Sequence, residues 1–297
     1  MSDAMLSWLA CELHCHSLHS DGGLSVAALA RRMRGRGLDL LALTDHNTVS
    51  GLAEIPAARG ETGIEILPSM ELTTFYGHIL ALGIEEYVEW RDLGPSDAGT
   101  AIAAIHAGRG LAGVAHPFRP GSPFCTGCYW EFTGFDWGEA DYLEVWSEPD
   151  PPNQDANRRA FDLWTSLLDA GFRLSATSGT DYHGREGGGL EAVTYLGADL
   201  VSPAGGRLPG AAREALRAGR AVVSLGPMLS LAVRGTGDGR SYRPGDVLPA
   251  SATAGGLVLE AAVDRERRRE QWAAELELER VALRGSGGEL GSARADD

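Results

Sequence analysis

The chain has 297 residues, 43% hydrophobic and 23% charged, with 41 acidic against 26 basic residues and a formal net charge of −15. That length can bury a core of barrel size with room for a small appendage, and the acidic balance offers no electrostatic footprint for long nucleic acid or an anionic membrane. Lysine is absent from the sequence, which excludes a lysine Schiff base and a P-loop.

The opening "MSDAMLSWLA" has neither a basic segment nor a long apolar run, and no stretch of about 18 apolar residues occurs anywhere. The expectation is a cytoplasmic protein without leader or membrane span. The four cysteines, Cys11, Cys15, Cys125 and Cys128, do not read as a disulfide framework in so long a chain.

In chain order, "CELHCH" (11–16) reads as a strand, and "SVAALARRMRGRG" as a helix with Ser25 as its N-cap and Gly35 and Gly37 at its end. Strands follow at 38–44, 64–71, 78–84, 111–116 and 142–146. A second helix, "DANRRAFDLWTSLLDAG", carries Ala160, Leu163, Trp164, Leu167 and Leu168 on one face and stops at Gly171. Strands at 173–178 and 192–197, a helix "GAAREALRAGR" and a strand "AVVSLG" complete an alternating α/β pattern. After about residue 226 the texture changes to alternating strands between Gly, Pro and Asp turns. The expected organisation is a barrel over 8–226, a small β-rich appendage over 227–290 and a frayed tail over 291–297. "DRERRREQW" is expected to be a solvated turn or helix.

The polar residues fall at strand ends. Strand parity sets Cys11, Leu13 and Cys15 on one face and Glu12, His14 and His16 on the other, placing two imidazoles side by side. "LALTDHN" ends a strand with Asp45 and His46, "LPSMEL" with Glu71, "GVAHP" with His116, and "SATSGTDYH" with Asp181 and His183. His78 begins a strand instead, but "TTFYG" can form a reversal that returns the chain antiparallel and leaves His78 near Glu71. Of eight histidines, only His19 and His106 fall outside this set. Parallel α/β folds gather strand C-terminal ends into one site, and a buried cluster of imidazoles with Asp21, Glu71 and Asp181 needs cations to be affordable.

The ordered motifs "HCHSLHSDG", "LTDHN", "ME", "GH", "AHP" and "SGTDYH", spanning 14 to 183, resemble the PHP family, the polymerase and histidinol phosphatase superfamily of metal-dependent phosphoesterases. The resemblance implies an α/β fold, a distorted (β/α)7 barrel with up to three divalent metals at its open end. It implies that His14, His16, Glu71 and Asp181 hold a first metal, that Glu71 bridges to a second held by His78 and His116, and that Asp21, His46 and His183 hold a third. "REALRAGRAVVSLGPMLSLAV" is similar to the branch of the family that includes a carbaryl hydrolase, which cleaves an aryl carbamate ester.

The chemistry so implied is hydrolysis of a phosphomonoester or small phosphodiester by a metal-bound hydroxide at a di- or trinuclear site. Glu71, Asp181 and His183 are its catalytic residues, with Asp181 or His183 assisting proton transfer. Two or three ions are expected, and imidazole with carboxylate suits Zn²⁺, Mn²⁺ or Fe²⁺ better than Mg²⁺. Arg119 and Arg185 directly follow ligand motifs and are assigned to phosphate oxygens, each against the equal reading of a surface arginine. His19 joins them as a substrate-binding candidate against the plainer reading of a loop histidine.

"CTGC" (125–128) reads as a loop rather than half of a zinc site, and the aromatic run "FCTGCYWEFTGFDW" either walls the pocket or packs as an insertion. Glu144 can accept a hydrogen bond behind a ligand, and Glu148 reads as a surface carboxylate. The expected partner is a small phosphate ester, nucleotides and short oligonucleotides included, with neither long nucleic acid nor membrane. The competing readings are a carbamate or carboxylic ester hydrolase on the same metals and a noncatalytic metal-stabilised module.

Overall fold

The computed structural model describes residues 6–121, 128–184, 189–200, 208–272, 279–285 and 288–294. Nine strands form one barrel-like sheet: β1 (Ser7–Cys15), β2 (Leu40–Leu43), β3 (Glu65–Thr73), β4 (His78–Leu82), β5 (Leu111–Val114), β6 (Tyr142–Ser147), β7 (Ser175–Gly179), β8 (Val193–Ala198) and β9 (Ala221–Ser224). Their order is β7-β6-β5-β4-β3-β2-β1-β8-β9. Pairing is parallel from β1 through β3 and from β5 through β7. β4 runs antiparallel to both β3 and β5, and β8 antiparallel to β1 and β9. The sheet curls until the chain beyond β7 meets β1, where His16 N donates to Tyr182 O at 2.9 Å and Tyr182 N to His14 O at 3.3 Å. The expected α/β class therefore holds, but the sheet has nine strands, because β8 and β9 continue it antiparallel past β1.

Alternation in the strands divides the core. Leu40 and Ala42 of β2 pack with Leu9, Cys11, Leu13, Leu67, Leu80 and Tyr142 in one cluster, while Leu41 and Leu43 pack with Ile64, Ile66 and helix α1 (Val26–Gly35) in another. α1 buries Val26, Leu29, Ala30 and Met33, a spacing of one helical face, and the Ser25 hydroxyl caps Ala28 N at 3.4 Å.

Helices α2 (Ile55–Thr62) and α3 (Ala98–Ala107) were absent from the sequence expectation. α2 is short and has a proline in its first turn, and "AGTAIAAIHA" of α3 lacks the polar stripe that makes a helical period visible. In α4 (Asp155–Asp169), Ala160 and Leu167 are buried as expected, but Leu168 is 38% exposed. It lies beyond the edge of the packed face. α5 (Leu208–Arg217) precedes β9 as read from sequence.

Past the sheet, β10 (Met228–Gly235) pairs antiparallel with β11 (Ser241–Tyr242) and β12 (Leu257–Asp264). β13 (Arg280–Gly285) and β14 (Gly288–Arg294) form a hairpin, so residues 291–294, expected in a frayed tail, are paired. "DRERRREQW" is not simply solvated: Arg267 donates to Trp8 O and to Asp39, each at 2.6 Å, and Arg268 Nε to Arg36 O at 3.0 Å. Among the described residues no helix is long and apolar enough to cross a membrane.

Tyr142 ties β6 to β4 across the interior, its buried phenol donating to Leu80 O at 2.9 Å. Tyr142→Phe is expected to lower the unfolding free energy by about 1–2 kcal/mol, read as a lower urea midpoint at unchanged slope.

Candidate metal centre

One irregularity in β1 sets up the site. Glu12 pairs with Leu41 and Cys15 with Leu43, so β1 spends one more residue than β2 over that step, as a bulge does. Leu13 packs in the cluster of Cys11, but Cys15 packs in the cluster of Ala10. The simple parity expected for 11–16 is therefore corrected. Glu12 leaves the histidine set, accepting from Thr180 N and His14 N, both at 3.0 Å, and from Thr180 Oγ1 at 2.8 Å. Beyond β1 the chain doubles back at Gly22, where a Cβ would lie 2.3 Å from His16 O. Asp45 pins this loop by accepting from Ser17 N and Ser17 Oγ at 2.7 Å and from Ser20 Oγ at 2.8 Å. The loop carries Asp21, and Asp45's anchoring of it was not read from the sequence.

Glu71 lies at the centre, fully buried. Its Oε2 is 2.8 Å from His46 Nδ1, 3.3 Å from His14 Nε2 and 3.5 Å from His16 Nε2. Its Oε1 is 2.9 Å from His78 Nδ1 and 3.4 Å from His116 Nε2. The reversal expected after β3 is present, with Thr73 opposite His78, and it returns His78 to Glu71. Asp181 Oδ1 faces His16 Nε2 at 2.9 Å, His14 Nε2 at 3.2 Å and His183 Nδ1 at 3.7 Å. Asp21 Oδ1 is 3.1 Å from His183 Nε2 and 3.6 Å from His46 Nε2.

Side-chain donors within 4.8 Å of one another thus form four overlapping groups: His14, His16, Glu71 and Asp181; Glu71, His78 and His116; His16, Asp21, His46 and His183; and His14, His116 and Glu144. The first two coincide with the sets inferred from sequence. The third gains His16.

Hydrogen bonds behind the rings fix their orientation. His14 Nδ1 lies 3.0 Å from Glu144 Oε1, His116 Nδ1 lies 3.3 Å from Cys128 O and His183 Nδ1 lies 2.7 Å from Asp181 O. With Nδ1–H donating in each case, Nε2 is the nitrogen turned to the carboxylates, bearing a proton while the ring is charged and a lone pair once it is neutral. Glu144 meets its expected part as an acceptor and also takes His116 N at 3.0 Å.

The charges are strongly coupled. Burial would raise the Glu71 and Asp181 carboxyls, but the surrounding imidazoles, and Arg119 for Asp181, hold both well below the usual range. Burial pushes His16 down to about 4, whereas His14 is driven well above its ordinary value against burial by Asp181, Glu144 and Glu71. His46 is likewise raised to about 9 against burial by Glu71 and Asp21. Even so, His14 Nε2, His16 Nδ1 and Glu71 Oε2 are buried without a hydrogen-bond partner. Orphaned lone pairs on imidazole and carboxylate are what a divalent cation takes up, so these residues fit divalent metal ions.

Two of these residues sit in strained backbone, His116 at φ 24° and Asp181 at φ 49°, an arrangement the surrounding hydrogen bonds must enforce. Arg119 is brought to the centre, pairing with Asp181 and Glu148. His19 is not: its Nδ1 and Nε2 are each 2.9 Å from Ser50 Oγ and Glu54 Oε1. Arg185 and Cys125 lie outside the described residues. Of the aromatic run, Trp130, Phe132, Phe135 and Trp137 stack on one another at 4.9–6.2 Å, the packed alternative.

Gly179 admits an approach as tight as that at Gly22, since a Cβ there would lie 2.3 Å from His14 Cβ and 2.5 Å from Glu144 Oε1. Gly179→Ala is expected to lower the bound metal per chain at least tenfold at limiting free metal, checked by elemental analysis after dialysis against a weak chelator. In the metal-free protein His46 is protonated at neutral pH, so an ion entering its group must displace that proton. Apparent affinity should rise with pH from 7 to about 9, where His46 gives up its proton, and then level. Calorimetric titration in buffers of different ionisation enthalpy reads the proton release.

The PHP domain family matches residues 12–93, the stretch holding His14, His16, Asp21, His46, Glu71 and His78. A 5'-3' exoribonuclease of Haemophilus influenzae is 39% identical over 79 residues, 25% of this chain and 29% of that protein. A 3',5'-nucleoside bisphosphate phosphatase of Chromobacterium violaceum is 42% identical over 78 residues, 25% of this chain and 27% of that protein. The chain spans under a third of the length of these curated relatives. A two-domain Bacteroides vulgatus protein containing a predicted PHP-like metal-dependent phosphoesterase shares the fold at a TM-score of 0.58 and 20% identity, over 74% of this chain and 65% of that one. Its motifs, the convergence of their side chains and the family match agree that residues 12–93 of the chain carry a match to the PHP domain.

Proposed function

We propose that the chain is a metal-dependent phosphoesterase acting on a phosphomonoester or small phosphodiester. The observation that carries this reading is Glu71, one buried carboxylate whose two oxygens serve two separate groups of imidazoles. His14, His16, Glu71 and Asp181 would hold one ion, and Glu71, His78 and His116 a second. Asp21, His46 and His183 would hold a third with His16. Bound divalent ions supply a water of lowered pKa and a sink for charge on the phosphoryl oxygens.

The chain's own residues do the rest. Arg119, its guanidinium now on Asp181 and Glu148, orients a phosphoryl oxygen. His183 Nε2 lies at a partly exposed position 3.1 Å from Asp21, and with two ions loaded it is free to hand a proton to the leaving oxygen. In a site holding three ions that nitrogen would be a ligand, and the ionised Asp181 would assist proton transfer as an acceptor from the attacking water. We read residues 8–226 as the (β/α)7 barrel, counted over β1 to β7, and 227–290 as its appendage. The activities named for the Haemophilus and Chromobacterium relatives both concern phosphoesters, which supports the substrate class. The net charge of −15 supports small esters, nucleotides or short oligonucleotides over long nucleic acid.

A panel of aryl phosphate, aryl phosphodiester, nucleotide and aryl carbamate with added Mn²⁺ tests the reading. Phosphate ester turnover is expected, and the combined variant His14→Ala, His16→Ala, Asp181→Ala should lose both turnover and metal. Turnover of the carbamate alone would transfer the site to carbamate chemistry. Stoichiometric metal with no turnover would favour a noncatalytic module.

A further inference from the structure

Beside the metal centre is a cavity of about 280 Å³. His116 and Arg119 form the wall nearest the centre, and Ser147, Gln154, Ala156 and Ala160 line the far side, where β6 ends and α4 begins. The segment joining them holds two non-glycine residues in left-handed backbone, Glu148 at φ 64° and Asp150 at φ 52°. Such conformations persist only where neighbours over-determine them, and they concentrate at functional sites.

Here the restraints are explicit. Asn157 Oδ1 accepts from Ser147 N at 3.0 Å, and its Nδ2 donates to Ser147 O at 2.8 Å and Pro151 O at 3.2 Å. Asp150 N donates to Leu190 O at 2.8 Å, and Asp150 Oδ1 accepts from Leu190 N at 3.0 Å. The product of this bracing is the placement of the Glu148 carboxylate on Arg119, whose other arm holds Asp181. Glu148 is therefore more than the surface carboxylate expected from sequence.

A phosphoryl group seated at the metal centre beside Arg119 has this cavity next to it to receive its leaving group. Among the described lining residues Arg119 is the one cation, and two carboxylates already share it. A second phosphate entering the cavity would have to compete with Glu148 for that guanidinium, whereas a hydroxyl can donate to Glu148 without displacing anything. Gln154 and Ser147 add neutral polar groups, and Ala156 and Ala160 keep the space open. The volume is at the small end of ligand pockets, suited to a sugar or nucleoside.

We propose that this cavity is the leaving-group subsite, and that Glu148 makes it select an uncharged, hydroxyl-bearing leaving group over one carrying a second phosphate. The inference rests on the phosphoesterase reading above. It separates the chain in specificity from a bisphosphate phosphatase.

The test uses the full chain loaded with Mn²⁺ and three substrates: adenosine 5'-monophosphate, adenosine 3',5'-bisphosphate and methyl phosphate. The monophosphate should exceed the bisphosphate at least tenfold in kcat/KM. Glu148→Gln should shrink that ratio at least tenfold through the KM of the bisphosphate. Ala156→Phe, which fills the cavity, should raise KM for the nucleotide tenfold while leaving KM for methyl phosphate unchanged. Calorimetric binding of the monophosphate, weakened at least tenfold by Ala156→Phe, decides the subsite without turnover. No hydrolysis of any ester would defeat the phosphoesterase reading alone. Equal wild-type binding of mono- and bisphosphate, or a discrimination ratio unmoved by Glu148→Gln, would overturn the inference.

Discussion

The constraint on which the rest depends is the burial of two carboxylates, Glu71 and Asp181, at a depth where solvent neutralises neither. Charges so placed must be matched by cations or given up to protonation. Imidazoles provide part of the match, but His16 is held down by burial and, beside it, by the charge of His46, so not every ring can take a proton. Divalent cations relieve this frustration, because they turn the same imidazoles from competing acids into neutral donors. The topology serves that end. β4 runs against its neighbours, and its reversal is what lets His78 reach the second oxygen of a carboxylate on the preceding strand.

Much of the centre was legible in the sequence because its parts are rare residue types at ends of apolar strands, where parallel folds converge. His14, His16, His46, Glu71, His78, His116, Asp181 and His183 stand out against leucine, alanine and valine. The β3–β4 reversal was legible from "TTFYG". Other features carry no such contrast. The β1 bulge adds one residue without any glycine or proline to announce it, so a two-residue period extrapolated through it sends Glu12 to the wrong face. Asp45 looks like another strand-end acid until its three serine contacts are seen. α3 was missed because it is apolar nearly all round and so shows no period. Asn157 belongs to a helix that was read correctly, yet its bond to Ser147 is a tertiary fact about a polar residue that sequence treats as solvent-facing.

Rigidity around the centre is distributed through ordinary secondary structure. Gly22 and Gly179 remove Cβ atoms that would strike His16 O and His14, while the strained His116 is held by its N–H on Glu144 and the strained Asp181 by the bonds its neighbour Tyr182 makes with His14 and His16. Strain at these positions is tolerable because several independent contacts converge on each, so relaxing one backbone angle would break more than one hydrogen bond. The same logic governs the Ser147–Asp150 segment. Donor atoms are thereby set in advance, as the proposed multinuclear site would require, since each ligand shared between groups must satisfy two geometries at once.

Charge ties the centre to the phosphate ester proposed for it. At long range a chain of net charge −15 repels a phosphate ester, although salt screens that repulsion beyond about 8–10 Å. At short range Arg119 is already shared between two carboxylates, so it cannot alone reverse the field. Two divalent ions set against the charges of Glu71 and Asp181 would leave about two positive charges, the complement of a phosphate dianion. Neutral imidazoles are the right majority of the remaining donors for that balance, because each further carboxylate, as at Glu144 and Asp21, subtracts one charge. The cations that make the buried carboxylates tolerable are thus the same ones that make an acidic protein attractive to an anion, and the proportion of histidine to acid in the centre follows from both demands.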